Sequence, residues 1–86
     1  MYCVYVLYSP GYDRHYIGQT QDVIQRLKRH NSGYEKATSP YVPWMLVCKI
    51  EKPNRGEAMI LEKKLKNLNR ERLLAFIDKY GSRDGG

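Results

Sequence analysis

Residues 4–18 read VYVLYSPGYDRHYIG, two tyrosine-rich apolar runs on either side of Ser9-Pro10-Gly11-Tyr12-Asp13-Arg14. Proline, glycine and aspartate this close together mark a turn. The flanking runs, Tyr2 to Tyr8 and His15 to Gln19, therefore read as the strands of a hairpin. Every position from Tyr2 to Tyr8 is apolar or aromatic. Such a strand needs cover on both faces, which places it in the middle of a small sheet. Gly18 stands inside the second strand, where glycine weakens the strand and marks close approach by a backbone or a ligand.

Beyond the hairpin, Thr20 can cap a helix that runs to about Asn31 and stops at Gly33, with Asp22 well placed for the helix dipole. Val23, Ile24 and Leu27 supply its buried stripe. Ser32 to Pro43 holds two prolines and small polar residues and reads as a surface loop. Trp44 to Ile50 is a third strand, ended by Pro53-Asn54-Arg55-Gly56. Asn54 caps a second helix through about Leu68, with Ala58, Leu61, Leu65 and Leu68 on its buried face. Asn69 restarts a third helix, whose Leu73, Phe76, Ile77 and Tyr80 form one apolar face before Gly81 stops it. The order β-β-α-β-α-α predicts an α/β three-layer sandwich, a small three-stranded antiparallel sheet flanked by helices. One domain is expected over residues 1–81, with a frayed tail at 82–86.

The whole chain of 86 residues is the size of one domain with a small core. Its net charge of +6 favours a polyanionic partner, nucleic acid ahead of an anionic membrane surface. The first apolar run is about seven residues long and has no basic leader, so neither a signal peptide nor a membrane span is expected, and a reducing cytoplasm is the default setting. Cys3 and Cys48 lie in apolar runs and read as buried free thiols. A disulfide ranks second, and a zinc site with His15 and His30 third, because the spacings match no finger or ribbon.

Several polar residues sit where the pattern wants apolar ones. On the first helix, Arg26 and His30 are four apart and share a flank of the buried stripe. On the second helix, Glu62 lies at the margin of the stripe, where a carboxylate is costly unless it is paired or holds a cation. Each has a structural explanation of its own: a snorkelling arginine, a helix-end histidine, an internal ion pair, two tyrosines packed in strands. As a set, Tyr5, Tyr16, Arg26, His30 and Glu62 suit hydrolysis of a phosphodiester. A carboxylate can hold a magnesium ion that keeps most of its waters. That ion polarises the phosphate, an arginine spreads its charge over the phosphoryl oxygens, and a phenol or imidazole takes a proton from the attacking water.

Cys3-Val4-Tyr5, Tyr16-Ile17-Gly18, Arg26 with His30, and Glu62 within Glu57-Ala58-Met59-Ile60-Leu61-Glu62 resemble the motifs of the GIY-YIG nuclease superfamily, in their order and spacing from Tyr2 to about Leu68. The chain is most similar to its small single-domain bacterial members. The resemblance implies a metal-dependent endonuclease acting on nucleic acid, DNA first, in repair or processing. It implies Tyr5 as general base or relay, Tyr16 positioning water or phosphate, and Arg26 stabilising the pentavalent phosphorane. His30 would assist proton transfer or orient Tyr5. Glu62 would be the sole protein ligand of one Mg2+ or Mn2+ ion. Gly18 would let the substrate come close, and Lys36, Lys63, Lys66 and Arg70 would grip nucleic acid. A free tyrosine has a pKa near 10, with only about a thousandth ionised at neutral pH, so Tyr5 needs positive charge beside it. Cys3 replaces the glycine of the motif's name, and Gln19 stands where some relatives have lysine. Leu73-Leu74-Ala75 occupies the region where several active members carry asparagine. A partner protein supplying specificity, and a monomer or weak dimer, complete the expectation. The alternative is a nucleic-acid binding module that keeps the scaffold without turnover.

Overall fold

The structure, a computed structural model, describes residues 1–81. The expected tail at 82–86 lies outside the described residues. The chain runs β1 (Tyr2–Ser9), β2 (Arg14–Thr20), α1 (Val23–Asn31), a short 3-10 turn (Ser39–Tyr41), β3 (Met45–Lys52), α2 (Arg55–Lys66) and α3 (Arg70–Tyr80). The sheet is antiparallel with order β2-β1-β3. The all-apolar strand is therefore the central one, and β2 is an edge.

Alternation along β1 divides the core in two. Cys3, Tyr5 and Leu7 face α1 and pack with Val23 and Trp44. Val4 and Val6 face the other way and pack with Cys48, Ala58 and Leu65, backed by Phe76 and Ile77 of α3. Burying Val4, Val6 and Leu7 contributes about 1.5–3 kcal/mol each. Cys3 and Cys48 are buried free thiols on opposite faces of the sheet. Among the described residues, no three histidine, cysteine or acidic side chains cluster together.

The two later helices start as their sequences indicate. The Glu57 N–H donates to Asn54 Oδ1 at 2.9 Å, and the Arg72 N–H donates to Asn69 Oδ1 at 2.9 Å. The first helix differs in two ways. Its cap is Asp22, whose Oδ1 accepts from the Gln25 N–H at 3.0 Å, while Thr20 is the last residue of β2. Its buried stripe is also turned: Ile24 is 59% exposed, and the side facing the sheet carries Val23, Arg26, Leu27 and His30. That set is spaced i, i+3, i+4, i+7, as a packed face should be, but half of it is polar.

The loop before β3 is more than surface. Trp44 precedes β3 and is buried, and its Nε1 donates to the Thr38 carbonyl at 2.9 Å. Asn31, at the end of α1, clasps the Trp44 backbone: its Nδ2 donates to the Trp44 carbonyl at 3.0 Å and its Oδ1 accepts from the Trp44 N–H at 2.6 Å. These bonds pin residues 38–44 against the end of α1.

Candidate active site

In the β1–β2 register, Tyr5 lies opposite Gly18 and Leu7 opposite Tyr16, so Tyr5 and Tyr16 share the face that meets α1. Their ring centroids are 6.3 Å apart. His30 enters from the last turn of α1, 4.9 Å from Tyr16 ring to ring. The Tyr5 hydroxyl and His30 Nε2 are 3.0 Å apart, and His30 Nδ1 is 2.9 Å from Thr38 Oγ1. Packing and hydrogen bonds explain why a histidine stays buried here: both ring nitrogens have partners.

Burial pushes the Tyr5 phenol up to about 12, and neighbouring Tyr16 adds to the rise. The Arg26 guanidinium pulls the other way but is outweighed, and Glu62 raises it further. Arg26 supplies some of the positive charge that Tyr5 needs, but desolvation of a phenolate costs more than that one cation returns. Burial also lowers the His30 pKa, with Arg26 and Arg29 in the same direction and Glu35 against it. At neutral pH the pair is a neutral phenol bonded to a neutral imidazole.

Glu62 approaches from the opposite layer. Gln19 of β2 lies across from Val4, so its side chain leaves on the face covered by α2. There its Nε2 donates to Glu62 Oε1 at 2.9 Å. Lys66 Nζ pairs with Glu62 Oε2 at 2.8 Å, one turn along α2. Because β2 is an edge strand, a cavity of about 610 Å3 opens around its rim and reaches both layers. Its lining includes Tyr5, Tyr16, Gly18, Gln19, Arg26, Arg55 and Glu62.

Four of the five expected catalytic side chains, Tyr5, Tyr16, Arg26 and Glu62, therefore meet at one cavity. His30 does not line it and reaches it through the Tyr5 hydroxyl. Gly18 lines the cavity, and the position of a β-carbon there is taken by Tyr5, since it would stand 2.6 Å from the phenolic oxygen. Lys63 and Lys66 line a neighbouring cavity of about 600 Å3 on the far side of Gln19 and Glu62. Arg70 is committed elsewhere, its guanidinium 2.7 Å from Asp13 Oδ1 in the hairpin turn. Lys36 is exposed on the loop after α1 and lines no cavity described here. Arg55, Gln19 and Thr38 were missed from sequence. Arg55 follows the Asn54 cap, and that position aims a cation at the sheet edge.

The profile of the GIY-YIG catalytic domain matches residues 1–75. The chain belongs to the GIY-YIG family. The solution NMR structure of a UPF0213 protein from Bacillus halodurans superposes with a TM-score of 0.63 at 32% identity, covering 98% of this chain and 90% of that one. No curated protein matches the chain. GIY-YIG membership gives the architecture above a nuclease-type fold and points to nucleic acid as partner. GIY-YIG nucleases generally depend on a divalent metal. Among the described residues, no helix is long and apolar enough to cross a membrane.

The donors around Glu62 fit a hard divalent cation of the kind other GIY-YIG proteins use. Glu62 is an anionic oxygen ligand whose side chain is 19% exposed at the cavity. Gln19 Oε1 is buried without a hydrogen-bond partner among the described residues, while the same amide turns its Nε2 to Glu62. A single carboxylate suits a hard cation such as magnesium, which retains several waters.

Proposed function

We propose that the chain is a Mg2+- or Mn2+-dependent endonuclease that hydrolyses phosphodiester bonds of nucleic acid, DNA first, in repair or processing. The observation that carries this reading is the convergence of Tyr5, Tyr16, Arg26 and Glu62 on one cavity at the β2 edge. Basic side chains extend from it, with Arg55 in the same cavity and Lys28 and Arg29 along a groove that shares Arg26. They suit a phosphate backbone held by charge.

Glu62, with Gln19 beside it, would hold one cation. When bound, that cation polarises the phosphate and steadies the leaving oxygen. The Arg26 guanidinium donates to the non-bridging oxygens, with most effect as their charge grows in the transition state. Tyr16 orients the phosphate or the water. In the reaction a water oxygen bonds to phosphorus, and the bond from phosphorus to the leaving sugar oxygen breaks. The water gives up one proton, and the leaving oxygen takes one from solvent. Tyr5, held near pKa 12, is ionised in only about one molecule in 10^5 at pH 7. It therefore works as a relay: its oxygen receives the water's proton as its own proton passes to His30 Nε2, 3.0 Å away, and after cleavage the imidazolium returns that proton through Tyr5 to solvent.

Cleavage of single-stranded, nicked and branched DNA and of RNA, with and without magnesium, tests the reading. Glu62→Ala and Arg26→Ala should each lower the rate about 100- to 1000-fold with circular dichroism unchanged. If both variants cut like wild type, the activity belongs to another site. Salt-sensitive binding without cleavage under every metal condition would leave the non-catalytic binding module in its place.

A further inference from the structure

We propose that Thr38 is a positioning residue that fixes the tautomer of His30, with its proton on Nδ1, so that Nε2 stands bare to take the Tyr5 proton. The role in turnover rests on the nuclease reading, whereas the tautomer does not. Tyr5, His30 and Thr38 are 1%, 2% and 1% exposed, so the order of their protons is set largely by one another. A neutral imidazole carries one N–H, and a threonine hydroxyl carries one proton. Thr38 Oγ1 donates to the Glu35 carbonyl at 3.4 Å. That carbonyl also accepts the Thr38 and Ser39 N–H groups at 3.1 and 2.8 Å; with the hydroxyl proton turned to it, the oxygen accepts from His30 Nδ1 at 2.9 Å. Nε2 is then a lone-pair acceptor, and the Tyr5 hydroxyl donates to it at 3.0 Å.

The reverse order has Thr38 donating to Nδ1 and Nε2–H donating to the phenolic oxygen. It removes the long contact to Glu35 and takes from the buried Tyr5 hydroxyl proton its acceptor at His30 Nε2. It also aims a proton at Tyr5, so His30 could take nothing from it. Thr38 is held for this task by its own backbone: its N–H donates to the Glu35 carbonyl at 3.1 Å, and its carbonyl accepts from the Trp44 indole at 2.9 Å. Asn31, the residue after His30, grips the Trp44 backbone from the other side. The histidine and the hydroxyl that orients it thus belong to one closed circuit of bonds.

Nitrogen-15 NMR of the His30 imidazole reports which nitrogen carries the proton. In the wild type Nδ1 should be protonated and Nε2 bare. Thr38→Val, close to isosteric, should shift the population toward the other tautomer, and Thr38→Ser should restore it. On a substrate that the wild type cuts, Thr38→Val should lower kcat roughly 10- to 100-fold, a part of the about 10^2–10^4 that a positioned proton acceptor supplies, with KM little changed. A wild-type proton on Nε2, or a tautomer that Thr38→Val leaves unmoved, overturns the assignment. Should Thr38→Val not fold, the wild-type spectrum and Thr38→Ser decide it. If the tautomer is as stated but no nucleic acid is cut, the nuclease reading fails and the orienting role stands.

Discussion

Gly18 and Tyr5 face each other across the β1–β2 ladder, and a β-carbon on Gly18 would lie 2.6 Å from the Tyr5 hydroxyl oxygen and 2.8 Å from Cζ. The glycine of the second strand is thus the floor on which the phenol rests. A side chain at this position would displace the ring that reaches His30.

Gly18→Ala should displace that ring and break its bond to His30. Overpacking of a fitted core typically costs about 1–3 kcal/mol, and denaturant unfolding should show a loss in that range. Cleavage should fall as far as it does in Tyr5→Phe. An alanine variant with wild-type stability and an intact Tyr5–His30 bond by NMR would mean the contact is easily relieved.

The raised Tyr5 pKa sets a stability trend with a definite sign. A group whose folded pKa exceeds its unfolded value contributes stability that is complete below the unfolded pKa and lost as pH rises through the folded one. For Tyr5 the window runs from about 10 to about 12. Unfolding free energies of wild type and Tyr5→Phe, compared through this alkaline range, should converge or cross as the wild type loses its share. Parallel curves would show that the phenol is not held neutral by its surroundings.

Lys66 places a positive charge 2.8 Å from Glu62 Oε2. A divalent cation on Glu62 must compete with it. One unit charge at about 4 Å in water is worth about 1 kcal/mol, or about fivefold in affinity. Lys66→Met should therefore tighten Mn2+ binding in calorimetry by about that factor or more. The fold should lose only a few tenths of a kcal/mol, as exposed i,i+4 pairs do. Unchanged or weaker binding would place the ion away from Glu62.

What the amino-acid sequence determined by itself is local. The continuous apolar run Tyr2 to Tyr8 made β1 central, and the break at Ser9 to Arg14 made the hairpin. Asn54 and Asn69 started their helices, because a side-chain cap needs only the N–H three residues on. The types and order of Tyr5, Tyr16, Arg26 and Glu62 were legible too, since motif spacing survives any rigid placement of the elements.

Tertiary structure decided which way those elements face and what each polar group meets. Periodicity could not tell that α1 turns Ile24 outward and His30 inward. That rotation is set by distant partners, the Tyr5 hydroxyl 25 residues away and the Thr38 hydroxyl eight away, which satisfy both imidazole nitrogens once water is gone. Likewise Arg70 met Asp13, 57 residues away in the chain, and Glu62 on the α2 side shares a cavity with Tyr5 and Arg26 because β2 is an edge. A helix pattern records how much of a face is apolar, while the burial of a polar atom depends on a partner supplied by another part of the chain.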